Sequence, residues 1–133
     1  MADRFFDTNV LLYLLSAEPG RADRVEEALA AGGTISVQVL NEFTSVALRK
    51  LGMKVAEVRE ALAPIIDVCQ VIALTTQIHQ RGLAVAERYR FSFYDALIVA
   101  AALESGCTTL FSEDLQDGQV IDRTLTVRNP FRG

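Results

Sequence analysis

Four carboxylates, Asp7, Glu42, Asp95 and Asp114, stand where a folded chain can bring distant acids to one rim. They sit in Phe5-Phe6-Asp7-Thr8-Asn9, Leu40-Asn41-Glu42-Phe43, Phe93-Tyr94-Asp95-Ala96-Leu97 and Phe111-Ser112-Glu113-Asp114. At ~5 Å and an effective dielectric of ~20, each like-charge pair costs roughly 3 kcal/mol. That is a large share of the ~5–15 kcal/mol that holds a domain together. A divalent cation offsets the repulsion, and oxygen-only ligands favour Mg²⁺ or Mn²⁺ over Zn²⁺. Such a site suits phosphodiester hydrolysis, because the metal acidifies a bound water and offsets charge on the phosphorus and leaving oxygens. A zinc site built on histidines and a Ser/His/Asp triad are both excluded by the lone His79.

Each acid taken singly has a structural reading. Asp7 suits the N-cap of the helix that follows it. Asp95 fits a Ser-x-x-Asp capping box with Ser92. Glu42 borders an apolar helical face, where a solvated side chain is ordinary, and Asp114 lies in a turn, where Asp is common. The combination at one rim carries the argument, so the elements must be shown to put it there.

Short β-like runs alternate with helical patterns. Arg4-Phe5-Phe6 reads as a first strand, Thr34-Ile35-Ser36 as a second, Val71 to Leu74 as a third and Thr108 to Phe111 as a fourth. Thr124 to Arg128 alternates and reads as an edge strand. Helices are expected over Asn9–Leu15, Arg21–Ala31, Val37–Leu51, Lys54–Ala63, Gln77–Tyr89 and Ser92–Glu104, the last apolar almost all round and therefore buried. This order predicts an α/β fold with a mostly parallel sheet of about five strands flanked by helices. Ligands in such sheets bind beyond the carboxyl ends of the strands, where Asp7 and Asp114 fall. Asp95 joins them if its helix starts at that rim.

The chain has 133 residues, enough for one domain with its own core. Half of them are hydrophobic and 23% charged, as in folded domains. The net charge of −4 argues against a non-specific nucleic-acid coat but not against an enzyme that meets a polyanion at one site. No segment reaches the ~20 apolar residues of a membrane span, and nothing resembles a signal peptide, so a cytoplasmic protein is expected. Cys69 and Cys107 are expected to be reduced core thiols.

The segments Asp7-Thr8-Asn9-Val10-Leu11-Leu12-Tyr13, Asn41-Glu42-Phe43, Phe93-Tyr94-Asp95-Ala96-Leu97-Ile98, Ser112-Glu113-Asp114-Leu115-Gln116-Asp117-Gly118 and Asn129-Pro130-Phe131 resemble the PIN-domain family. They most closely resemble its small stand-alone VapC-type toxins of toxin–antitoxin pairs. The likeness runs through the whole chain in the same order. It implies a PIN-like three-layer sandwich and a metal-dependent ribonuclease with Asp7, Glu42, Asp95 and Asp114 as the acidic site. It further implies Asn9 and Ser112 as supporting polar groups, Asp117 as a candidate fifth carboxylate, a homodimer and an antitoxin partner.

Three surface features bear on partners. Arg88-Tyr89-Arg90-Phe91 interleaves guanidiniums with aromatics, which suits single-stranded RNA, although arginines at a helix C-terminus also favour the dipole. Arg49, Lys50 and Lys54 form a second basic cluster, equally readable as a solvated helix end. Val10 to Leu15 is more apolar than one core face requires, which suits either a partner's segment or simple burial. Rival functions are a Mg²⁺-dependent phosphatase, for which Asn9 stands where a second Asp is wanted, a catalytically silent interaction domain, and an RNA-processing PIN nuclease without an antitoxin.

Overall fold

A computed structural model describes residues 3–132. The first strand, β1 (Arg4–Phe6), is short and apolar, with Phe5 and Phe6 wholly buried. Alternate side chains of a strand point to opposite faces, so this strand is covered on both. It pairs in parallel with β2 (Gly33–Ser36) on one side and β4 (Thr109–Phe111) on the other. Outside β2 lies parallel β3 (Cys69–Ile72). Outside β4 lies parallel β6 (Leu125–Arg128), which carries antiparallel β5 (Val120–Ile121). The order β3-β2-β1-β4-β6-β5 makes the gap between β1 and β4 the point where the chain reverses its winding.

Among the described residues six α-helices flank this sheet: α1 (Thr8–Leu11), α2 (Pro19–Ala30), α3 (Val37–Arg49), α4 (Val55–Val68), α5 (Thr76–Tyr89) and α6 (Phe93–Glu104). The predicted α/β sandwich is therefore present, with six strands among the described residues. Helix α6 is buried from Ala96 to Leu103, as its all-round apolar sequence demands. It packs closely on α5 at Gly82, where a Cβ would lie 2.9 Å from Leu97 Cδ2.

Three expectations need correction. The C-terminal strand is interior, not an edge: Leu125 and Val127 are fully buried, and two-residue β5, too short to show a period, covers its outer side. The expected helix Asn9–Leu15 divides into the single turn α1 and a 3₁₀ segment over Leu12–Leu15. Helix α4 runs past Pro64 to Val68, which moves β3 two residues earlier than expected. Pro64 removes one N–H from the helix, but burial of Ile65 on the core side favours continuation.

The two cysteines are free and buried, as expected. Among the described residues, no helix is long and apolar enough to cross a membrane.

Candidate active site at the carboxyl edge of the sheet

Asp7 leaves β1 in extended conformation and caps α1, its Oδ1 accepting the Thr8 N–H at 2.7 Å. Its Oδ2 accepts from the Ser112 hydroxyl at 2.8 Å and from Asn9 Nδ2 at 3.1 Å. The backbone closes the same contact, with Asp7 N–H donating to Phe111 C=O at 2.9 Å. Asp7 is thus fixed by the residue beside it and by the loop leaving β4. It is 4% exposed, and burial pushes its carboxyl up to about 7. The hydrogen bonds from Ser112 and Thr8 oppose that rise, and the charges of Asp95 and Glu42 add to it.

Glu42 lies on α3, which starts at the end of β2 under a cap from Ser36. Its Oε1 accepts from the Thr8 hydroxyl at 2.8 Å and its Oε2 from Gln38 Nε2 at 3.1 Å. Thr8 therefore touches two acids, Asp7 through its N–H and Glu42 through its hydroxyl. Ser92 Oγ caps α6 by accepting the Asp95 N–H at 3.3 Å, which orients the first turn of that helix. Asp95 turns its side chain to the same cleft as Asp7, and Asp114 enters it from the loop after β4.

The cleft has a volume of ≈ 300 Å³ and is lined by Asp7, Glu42, Asp95 and Asp114 together with Thr8, Asn9, Leu12, Ser45 and Val46. No lysine, arginine or histidine stands among those residues. Among the described residues the acids ring the cleft without any three meeting at one point. The donor set fits a hard divalent cation: it offers oxygen only, it lacks a basic counter-charge, and Asp7 is buried and held by neutral donors.

Other expected residues fall elsewhere. Asp117 is exposed and its Oδ1 accepts the Asn129 N–H at 2.8 Å, outside the cleft lining. Arg88 sits 5.5 Å from the centre of the Tyr89 ring, and Tyr89 is tied to Asp122 by its hydroxyl. Neither Arg88 nor Arg90 lines the cleft. Asn9 and Ser112 do support Asp7, and Asn9 Oδ1 also accepts the Glu113 N–H at 3.1 Å.

Sequence reading missed Thr8, Gln38 and Glu113. Glu113 accepts from the Tyr13 hydroxyl at 2.8 Å and pairs with Arg21, whose guanidinium also covers the rings of Tyr13 and Phe131. This cluster anchors the loop that presents Asp114. The only signal for Thr8 was a hydroxyl residue following the first acid at a helix start.

A single-turn helix that starts on a buried carboxylate after the central strand, and an acidic cleft at the sheet's switch point, define a compact α/β class with its acids gathered at one edge. The PIN domain family model matches residues 4–117. The chain belongs to the PIN domain family. Its fold is similar to a toxin–antitoxin complex from Klebsiella pneumoniae, at 25% identity and TM-score 0.71, covering 96% of this chain and 98% of that one. It is also similar to VapC20 of Mycobacterium tuberculosis, a Sarcin-Ricin loop cleaving toxin, at 21% identity and TM-score 0.68, covering 84% and 89%. VapBC2 from Rickettsia felis, solved bound to a DNA fragment from its promoter, matches at 17% identity and TM-score 0.70, covering 95% and 97%. Among curated proteins no sequence matches significantly.

Proposed function

We propose that this protein is a Mg²⁺- or Mn²⁺-dependent endoribonuclease and the toxin of a type II toxin–antitoxin pair. The observation that carries the reading is the cleft of four carboxylates with no basic residue in its lining. Membership of the PIN domain family and the likeness to toxins of such pairs support it.

In this mechanism Asp7, Glu42, Asp95 and Asp114 would hold the cation. When bound, it lowers the pKa of a water and offsets negative charge on the scissile phosphate. The chain's own part is to fix the ligands beforehand. Thr8 sets Asp7 and Glu42 relative to each other. Ser112 and Asn9 hold the outer oxygen of Asp7, and Gln38 holds that of Glu42. Asp7 and Glu42 are preset in this way, and Asp95 and Asp114 would close on the ion from the rest of the cleft lining.

A partner is supported by a second feature, an apolar groove of ≈ 390 Å³ between α2, α3 and α4. Leu14 and Leu15 line it with Leu29, Phe43, Ile65 and Val68, while Val10 and Leu11 of the same apolar stretch are buried in the core. An amphipathic segment of an antitoxin suits such a surface. Function as a homodimer belongs to the same proposal.

The test is cleavage of a mixed set of structured RNAs by partner-free protein in Mg²⁺, Mn²⁺ or EDTA. Cleavage with either metal and none in EDTA is expected. Equal cleavage in EDTA would refute the metal mechanism.

A further inference from the structure

Helix α3 carries more than Glu42 on the face that meets the cleft. Ser45, Val46 and Arg49 follow Glu42 at i+3, i+4 and i+7, so they continue one stripe along the helix, and Lys50 ends it. Ser45 and Val46 line the acidic cleft, and the same two residues line a second hollow of ≈ 320 Å³ whose other walls are Arg49 and Lys50. The two hollows therefore adjoin across one pair of side chains. Arg49 and Lys50 are exposed, and among the described residues their side chains form no ion pair or hydrogen bond. By contrast, Arg21 and Arg81 are engaged with carboxylates, and Arg4 is held against Phe6, Phe111 and two backbone carbonyls.

At 1.5 Å rise per residue, Arg49 begins about 10 Å along the axis from Glu42. That is about one Debye length at physiological salt, so the cations leave the carboxylates largely unneutralised. It is also near enough for one strand to touch both hollows. An acidic cleft repels a polyanion, and a strand entering it needs a cationic foothold alongside.

Resting on the ribonuclease reading, we propose that Arg49 and Lys50 form a phosphate subsite that seats the single-stranded RNA backbone beside the scissile bond. Arg49 supplies a planar fork for phosphate oxygens and Lys50 a mobile point charge. The subsite reads no base; it sets where along the strand the cleft falls.

The test separates this subsite from the chemistry by measuring binding without cleavage. A fluorescent 2′-O-methyl single-stranded oligonucleotide is titrated by anisotropy from low to moderate salt, in EDTA. For R49Q/K50Q, binding weaker by about 5- to 20-fold is expected, with the slope of log K against log salt reduced by roughly 1.4, as for two lost phosphate contacts to a single strand. Arg49→Lys should keep most of the binding, since charge is retained. R59Q/R123Q removes two exposed charges that line neither hollow and should bind as wild type. Equal binding by R49Q/K50Q and wild type would overturn the subsite, as would an equal loss in R59Q/R123Q. A R49Q/K50Q protein that melts lower, yet binds normally per folded molecule, would reduce the pair to helix-end residues and also overturn it. Failure of wild type to cleave any RNA while these binding differences hold would refute the nuclease reading alone.

Discussion

Two groups of carboxylates in this molecule are treated in opposite ways. Where α5 and α6 meet the β5–β6 turn, Glu104 and Asp122 both pair with Arg81, and Asp122 also accepts from the Tyr89 hydroxyl. That brace is neutralised within the protein and holds down a turn whose two central residues, Asp122 and Arg123, take positive φ. Such a conformation is costly for non-glycine residues and needs pinning. At the carboxyl edge of β1 and β4, Asp7 and Glu42 receive only neutral donors, and no cation lines the cleft. Acids whose counter-charge lies in the chain serve the fold. The acids of the cleft find no counter-charge in its lining.

The sharpest contrast is in activity. Asp7→Asn is expected to lower RNA cleavage by a factor on the order of 10³ or more, with the fold retained. Asp95→Asn should fall nearly as far, because the Ser92 cap accepts from the Asp95 backbone and survives the change. Arg81→Gln should cut at the wild-type rate per folded molecule. Gel-resolved cleavage checks all three, and comparable losses from the cleft and the brace would erase the distinction.

The pH dependence of stability comes next. The folded-state pKa of Asp7, about 7, lies above its ordinary 3.8, so between these values the folded chain keeps a proton that the unfolded chain has released. Stability from this group is therefore greatest at low pH and falls as pH rises through that window. Metal-free denaturant titrations should show a loss on the order of a few kcal/mol between about pH 4 and pH 8. Asp7→Asn should remove that slope and be more stable than wild type by ~1–3 kcal/mol at pH 8.

Mg²⁺ should raise the unfolding free energy of wild type by about 2–3 kcal/mol at a hundredfold excess over its dissociation constant. Melts of Asp7→Asn should respond much less, whereas Arg81→Gln should keep the full response. The smallest effect is the direct cost of Arg81→Gln, about 0.5–1 kcal/mol per partly exposed pair, readable as a modest drop in Tm without any change in Mg²⁺ response.

Sequence patterning exposed the fold wherever an element spans a full period. The buried β1, the all-apolar α6 and the amphipathic α3 and α5 were legible for that reason. The interior place of β6 was not, because it depends on two-residue β5, and the length of α4 was obscured by Pro64. At the site, the four acids were legible as types and positions, and the cleft brings them together. Thr8 was not, because its link to Glu42 spans 34 positions and exists only once α1 and α3 pack. The basic runs at Arg88–Arg90 and at Arg49–Lys50 both drew attention by composition, yet Tyr89 is committed to Asp122, whereas helix register sets Arg49 and Lys50 in line with Glu42 beside the cleft.

Two of the partners that shape Asp7 come much later in the chain, Ser112 being 105 positions after Asp7. Synthesis at ~5–20 residues per second puts roughly 5–20 s between the two on a translating ribosome. During that interval β1 lacks the strand that closes its second side, and Asp7 lacks both the Phe111 carbonyl and the Ser112 hydroxyl. Whatever the cleft does, a nascent chain cannot do it. The cleft is completed late, when β4 slots in beside β1, so the length of chain already translated decides when it can exist.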